Sequence, residues 1–312
     1  MTPPDEIHAV TGAFGFSGKY ITRLLLDKNK KVITLTNSPQ RKNEFNNRIA
    51  VFPYNFDQPD KLAENLRGVS VLYNTYWVRF NHTIFQHSEA VRNTLILFEA
   101  AKKAGVKRIV HTSITNPDEN SSLEYFTGKG ILETALVNSG LSYAILRPAV
   151  LFGDEDILIN NIAWMIRKFP VFGTFGDGSY KLQPIFVKDY AELAVKYGAD
   201  DSDLITDAIG PETFTYRELI KIISKIILGK ERPVFSMPDS MGYLVSRLVG
   251  WLMGDQLVTK EEIKGLKANL LYTHSSPLGT KKLTEWITEH RDIVGKRYAS
   301  ELKRRLDRTA TY

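Results

Sequence analysis

Apolar and polar positions follow two rhythms along the first half of the chain. Short apolar runs at Ile7–Thr11, Lys31–Thr36, Ile49–Tyr54, Val69–Thr75, Arg108–Thr112 and Ser142–Leu146 read as strands. The intervening segments carry apolar residues at helical spacing. Ile84–Ala104 places Val91, Leu95, Phe98 and Ala101 on one side and stops at Gly105, and Tyr125–Ser139 stops at Gly140. Strand, helix, strand repeated this often predicts an α/β protein with a doubly wound parallel sheet and right-handed crossovers.

After Pro148 the pattern loosens. Asp156–Lys168 and Tyr216–Leu228 read as helices, Pro170–Gly178 is rich in Gly, Pro and aromatics, and two further helices are expected at Met241–Met253 and Lys260–Asn269. The division expected is residues 1–150 with a returning segment near 183–210, and a smaller, mainly helical substrate lobe of residues 151–182 and 211–312. In such sheets the ligand crevice lies at the carboxyl ends of the strands. Met241–Met253 is expected to face the core of the small lobe; a lid over the pocket or a membrane-surface helix are the alternatives.

Bulk composition narrows the chemistry. The 312 residues are 43% hydrophobic and 24% charged, ordinary for a globular protein. There is no cysteine, which excludes disulfides, thiolate zinc sites and cysteine nucleophiles. The histidines at 8, 82, 87, 111, 274 and 290 show no metal-ligand spacing, so no metal is expected. His82 and His111 lie near the active loop but are expected to be packed or at the surface. The net charge is +6, with part of the excess in Lys296, Arg297, Lys303, Arg304, Arg305 and Arg308. Asp292, Glu301 and Asp307 interleave there, which reads as a solvated face and not as a nucleic-acid site. The start is neither basic nor followed by a long apolar run, and no apolar stretch is long enough to span a bilayer. The expectation is a cytoplasmic protein acting on a small molecule, open to oligomer formation, with no nucleic-acid partner and no integral membrane segment.

Candidate chemistry begins at Gly12-x-x-Gly15-x-x-Gly18, between the first strand and the first helix. In that context the spacing marks a dinucleotide site. Gly12 allows a tight turn, Gly15 admits the pyrophosphate to the backbone, and Gly18 lets the helix pack close to the strand. Free N–H groups and the positive end of the helix dipole then hold the phosphates. The second strand ends Leu35-Thr36-Asn37-Ser38 with no acidic residue for a ribose 2′-hydroxyl, and Arg41 and Lys42 follow. Either Arg41 or Lys42 could pair with a 2′-phosphate, helped by Ser38, which favours NADP over NAD, and Asn37 would lie beside the cofactor.

A second constellation is Tyr125-x-x-x-Lys129, one helical turn apart, preceded by Ser113 and Thr115 after the fifth strand. An ammonium beside a phenol favours the phenolate, so Tyr125 can act as acid or base toward a carbonyl or hydroxyl. Ser113 or Thr115 would hold the substrate oxygen. Arg79 and Arg147 could meet an anionic substrate group, with a structural carboxylate partner favoured for Arg147.

These features, with Arg147-Pro148-Ala149-Val150-Leu151-Phe152-Gly153 and Gln183-Pro184-Ile185-Phe186-Val187-Lys188-Asp189, resemble the short-chain dehydrogenase/reductase superfamily. The likeness is to its extended or atypical branch, which includes epimerase/dehydratase-like and NmrA-like proteins and an accessory subunit of respiratory complex I. It runs from about residue 7 to 235 and implies a Rossmann-type fold. It also implies that Phe14, Phe16 and Ser17 lie beside the pyrophosphate, that Asp57 faces the adenine, and that Pro148, Val150 and Leu151 pass the nicotinamide. Tyr125 and Lys129 would be the catalytic pair, and Lys129 would also hold the ribose. The implied activity is NAD(P)-dependent oxidoreduction, or an epimerase or dehydratase cycle, on a small carbonyl or alcohol. The alternative is a non-catalytic cofactor sensor, structural subunit or assembly factor. One departure bears on this choice. The loop after the fourth strand, usually small, is here Asn74-Thr75-Tyr76-Trp77-Val78-Arg79-Phe80, and Tyr76, Trp77 and Arg79 would shape the substrate pocket or crowd the nicotinamide.

Overall fold

The computed structural model describes residues 6–310. The chain runs through β1 (Ile7–Thr11), α1 (Phe16–Asp27), β2 (Lys31–Leu35), β3 (Ala50–Phe52), α2 (Pro59–Asn65), β4 (Val69–Asn74), α3 (His87–Ala104), β5 (Arg108–Thr112), α4 (Glu124–Val137) and β6 (Ser142–Pro148). It continues through β7 (Val150–Phe152), α5 (Leu158–Lys168), β8 (Phe172–Phe175), β9 (Lys181–Leu182), β10 (Pro184–Phe186), α6 (Val187–Gly198) and β11 (Leu204–Ala208). It ends with β12 (Phe214–Thr215), α7 (Tyr216–Leu228), β13 (Val234–Met237), α8 (Asp239–Met253), α9 (Lys260–Lys267), α10 (Leu283–Glu289) and α11 (Glu301–Leu306).

The alternating half builds one seven-stranded sheet in the order β11-β6-β5-β4-β1-β2-β3. The pairings β1–β2, β2–β3, β1–β4, β4–β5 and β5–β6 are all parallel. The order reverses between β1 and β4, the switch point at which a doubly wound sheet leaves room for a ligand. Contacts divide the chain into two units: residues up to Arg147 with Tyr190–Asp207 and the residues from Arg308 onward, and Pro148–Asp189 with Ala208–Asp307.

Each unit has its own core. In the sheet unit, Ala9, Leu35, Leu72, Ile109 and Ile145 from the strands meet Leu97 and Leu132 from the helices. Strand residues buried on both faces explain why the runs are continuously apolar. Helix boundaries follow backbone chemistry. The expected helix from Ile84 begins at His87, because His82 and Phe85 close a tight turn (His82 N to Phe85 O, 2.8 Å) and Asn81 Oδ1 takes the His87 N–H at 2.7 Å. That helix stops at Gly105, whose φ of +78° suits glycine.

The second unit packs Phe152, Ile159, Ile162, Leu219, Ile223 and Trp286 together. It holds more strand than expected, as three two-stranded pairings: β10–β7, β12–β9 and β13–β8. α7 starts at a capping box in which Thr215 and Glu218 exchange hydrogen bonds with each other's backbone. α8 departs from expectation. Only Gly242 and Gly250 of this helix are buried, while Met241, Leu244, Val245, Leu248, Trp251 and Leu252 are exposed, so it is not a core-facing helix. The glycines lie inside because the backbone comes too close for anything larger. A Cβ at 242 would stand 2.7 Å from the Phe175 ring, and one at 250 would stand 2.6 Å from the Asp255 carbonyl oxygen.

Candidate nucleotide site and acid–base pair

The glycine turn sits at the carboxyl end of β1, beside the switch point. Gly12 has φ +66°, a conformation that favours glycine. Its carbonyl accepts the Gly15 N–H at 2.8 Å, and the Gly12 N–H reaches Leu35 O at 2.9 Å. A Cβ at Gly18 would lie 2.3 Å from the Gly12 carbonyl oxygen, so the third glycine is what permits α1 to start against the turn. Gly15 is the cap residue of α1. Among the described residues no side chain caps this helix start, and its first turn has no carboxylate. The first N–H groups and the dipole of α1 therefore remain for an external anion, and the turn fits a pyrophosphate. Phe14 is buried, while Phe16 and Ser17 are half-buried.

β4 is clasped to the turn. The Thr75 N–H donates to Thr11 Oγ1 at 2.7 Å and Thr75 Oγ1 to Thr11 O at 2.6 Å. Thr11 Oγ1 also donates to Asn74 Oδ1 at 3.1 Å, and Asn74 Nδ2 meets His111 Nδ1 at 3.0 Å. His111 is wholly enclosed, and burial followed by the charge of Lys129 holds its pKa well below the usual range. It is a packed histidine.

The crowded loop divides its aromatics. Tyr76 packs with Tyr54 and Phe56, at ring separations of 5.0 and 5.2 Å, and its hydroxyl accepts from Asn93 Nδ2 at 3.0 Å. The Tyr54 hydroxyl comes within 3.8 Å of a Cβ placed on Gly12, so this aromatic group lies under the glycine turn. Tyr54 and Phe56 were missed from sequence, although an aromatic pair just before the exposed Asp57 was a usable signal. Trp77 goes elsewhere. It stacks on His87 at 5.8 Å and meets Tyr125 edge-on at 5.5 Å. Lys129 Nζ sits 4.2 Å from its ring centroid. Trp77 thus joins Tyr125 and Lys129 on one surface of α4. A Cβ at Gly128 would stand 2.9 Å from the indole, so glycine between the pair admits the tryptophan. Arg79 is half-buried, its guanidinium 5.8 Å from the Phe80 ring.

Lys129 is 1% exposed, and Nζ donates to the Thr112 carbonyl at 2.7 Å. Burial pulls its pKa from 10.5 down to about 7, with the Glu133 carboxylate acting in the opposite sense. Glu133, one turn further along α4, also went unnoticed in the sequence. It accepts from the Ser113 hydroxyl and from Arg147, whose Nε lies 3.0 Å from Oε1. Arg147 therefore has the structural carboxylate partner. Of the two candidate hydroxyls, Ser113 is engaged with Glu133 and Thr115 is fully buried.

Around the end of β2, Asn37 is exposed, Ser38 half-buried and Arg41 buried, with the Arg41 N–H on Ser38 O at 3.1 Å. The far end of the chain returns here. The Lys42 N–H donates to Thr309 O at 2.9 Å, and Arg308 reaches Asn37 O at 3.4 Å. Arg308 was read as part of a solvated tail, since nothing local signals this return. In the other unit, Pro148 closes β6, and Val150 and Leu151 lie on β7, paired in register with Pro184 and Ile185.

Residues 12–162 match the NAD(P)H-binding family model. Over 288 residues the chain is 23% identical to the Arabidopsis thaliana NADH dehydrogenase [ubiquinone] 1 alpha subcomplex subunit 9, mitochondrial, covering 86% of this chain and 72% of that protein. A triphenylmethane reductase from Citrobacter, solved with NADP(H), superposes with a TM-score of 0.73 at 18% identity over 91% of this chain and 99% of that one. An NADPH-dependent quinone oxidoreductase from Escherichia coli, solved with NADPH, gives 0.71 at 21% identity over 90% and 99%. These structures share the fold.

Proposed function

We propose, from the match of residues 12–162 to the NAD(P)H-binding family model, an NADP(H)-dependent oxidoreductase of a small carbonyl or alcohol. The observation that carries this reading is the buried, near-neutral Lys129 one helical turn from Tyr125, both against Trp77. Gly12, Gly15 and Gly18 with the start of α1 would hold the pyrophosphate, and Asp57 would lie toward the adenine. Arg41, Lys42 and Arg308 around Asn37 and Ser38 would favour a 2′-phosphate. The bound nicotinamide supplies or accepts hydride. Tyr125 gives its hydroxyl proton to the substrate oxygen in the reductive direction and takes it back in the other. Lys129, when charged, lowers the energy of the phenolate and reaches the ribose. Ser113 or Thr115 would hold the substrate oxygen. Tyr76, Trp77 and Arg79 would shape the substrate side.

A second reading, a nucleotide-binding protein without turnover, is favoured by one observation. Lys129 Nζ is already engaged by Thr112 O and the Trp77 face, and the Ser113 hydroxyl by Glu133. The Arabidopsis relative is itself named as a subunit of a larger complex.

NADPH titration followed by a panel of carbonyls and quinones separates the two. If the enzyme reading holds, Tyr125→Phe keeps NADPH affinity and slows turnover by about 100-fold or more. Tight NADPH binding with no turnover in the wild type, and no change in Tyr125→Phe, overturns it in favour of binding alone. Arg41→Ala and Arg308→Ala should each weaken NADPH by about tenfold, roughly 1.4 kcal/mol, and leave NADH unchanged. Equal loss for both cofactors refutes the NADP preference.

A further inference from the structure

α8 is amphipathic the wrong way round for a core helix. Its glycines face inward, and Met241, Leu244, Val245, Leu248, Trp251 and Leu252 are each 45 to 77% exposed. Their spacing places them along one side of the helix, forming a continuous apolar stripe where soluble proteins tolerate only scattered apolar residues. The helix is 15 residues long, and no described helix is long and apolar enough to cross a membrane.

Two basic elements border the stripe. Lys260, Lys264 and Lys267 recur at helical spacing on α9, all exposed. Lys260 Nζ lies 5.3 Å from the Tyr243 ring and Lys267 pairs with Asp239 at 2.7 Å, which sets α9 alongside α8. At the other end, Asp255 follows α8 and accepts from the Tyr298 hydroxyl at 2.7 Å and from the N–H groups of Glu301 and Leu302 at 3.0 and 3.1 Å. This carboxylate brings α11 to the end that bears Trp251 and Leu252, with Lys303 exposed, Arg304 held by Glu155 O at 2.6 Å and Arg305 by Glu301. Four of the acidic groups nearby are engaged within the protein. Asp239 is on Lys267, Glu262 caps α9, Glu301 takes Arg305 and Asp255 holds α11.

We propose that α8 lies on an anionic lipid surface, its stripe in the acyl boundary and the exposed Lys260 and Lys264 of α9 with Lys303 of α11 on the headgroups. An apolar helix face bordered by basic side chains is what such a surface recognises. The bordering charge also selects this occupant over a second copy of the chain. A twofold contact through the stripe would set these cations against their own copies.

The test is co-sedimentation of the whole chain with vesicles of phosphatidylcholine alone and of phosphatidylcholine mixed with phosphatidylglycerol. The expected result is binding to the mixed vesicles only, weakened by salt, with a blue shift of tryptophan emission that Trp251→Phe removes. Leu248→Asp should abolish binding, and Lys260→Glu with Lys264→Glu should weaken it by about tenfold. All three positions are exposed, and unchanged circular dichroism and thermal unfolding confirm that the variants fold. No binding to mixed vesicles, or binding indifferent to Leu248→Asp, overturns the proposal. So does a lipid-free dimer, seen by light scattering, that Leu248→Asp dissociates. None of these outcomes bears on turnover by Tyr125, so the two readings fail separately.

Discussion

Replacing Lys129 by Met removes a charge from a site 1% exposed while keeping an unbranched side chain. Burial holds the Lys129 pKa at about 7 in the folded protein, against 10.5 for a free lysine. Between those values the folded state binds fewer protons than the unfolded state. Unfolding there takes up a proton, so wild-type stability rises with pH from about 7 to about 10.5 on account of this residue. The whole interval is worth roughly 5 kcal/mol, of which roughly 3 kcal/mol is gained by about pH 9.5. Below the folded pKa the wild type bears the full cost of the buried ammonium; Met bears none at any pH. The lost bond to Thr112 O and the lost contact with Trp77 set a baseline difference, and every other titrating group is common to both proteins. Urea unfolding of both proteins across this range should show the stability of Lys129→Met, relative to wild type, falling by roughly 3 kcal/mol as pH rises. A difference that is flat in pH, or that grows with pH, would refute the assignment of Lys129 as a buried, charge-averse amine.

Three other changes test separate parts of the argument. Gly18→Ala places a Cβ 2.3 Å from the Gly12 carbonyl oxygen, and should weaken NADPH by at least about tenfold in a fluorescence titration; an unchanged affinity would mean the turn does not hold the phosphates. Glu133→Gln strips the carboxylate from Arg147 and Ser113 and should cost about 3 kcal/mol in chemical denaturation, as breaking a buried pair does. Asp156 is buried, and burial raises its pKa to about 7 despite N–H bonds from Ile159, Asn160 and Gly153. The folded state therefore holds the proton that the unfolded state releases, and stability falls as pH rises from about 4 to 7. Asp156→Asn should gain up to roughly 4 kcal/mol over wild type at about pH 8 and little below about pH 4, measured by thermal unfolding at both; an equal gain at both would contradict the shift.

Local pattern carried the fold of the sheet unit. A run such as Ala9–Val10–Thr11 buries on both faces of a parallel sheet, so strand identity is written in consecutive residues, and β5 falls on its expected bounds. α7 falls on its expected bounds too, because Thr215, Glu218 and Gly229 supply both caps within the segment itself. The glycine turn was legible for the same reason, since its geometry depends on three backbone positions and two adjoining elements. Boundaries slipped where a distant or folded-back group intervenes, as at His87, whose N–H is taken by Asn81.

By itself, then, the sequence determined the alternating sheet, the glycine turn for a nucleotide and the Tyr125/Lys129 pair one turn apart, because each depends on spacing along the chain. Tertiary structure alone decided how those groups are engaged. It set Lys129 against Thr112 O and the Trp77 face, gave Ser113 and Arg147 to Glu133, and brought Arg308 back to Asn37. It also turned the apolar side of α8 outward, since backbone approach at Gly242 and Gly250 leaves no room for large side chains within. Charge and apolarity can be counted along a chain, but which face they occupy and which partner satisfies them is settled only by packing.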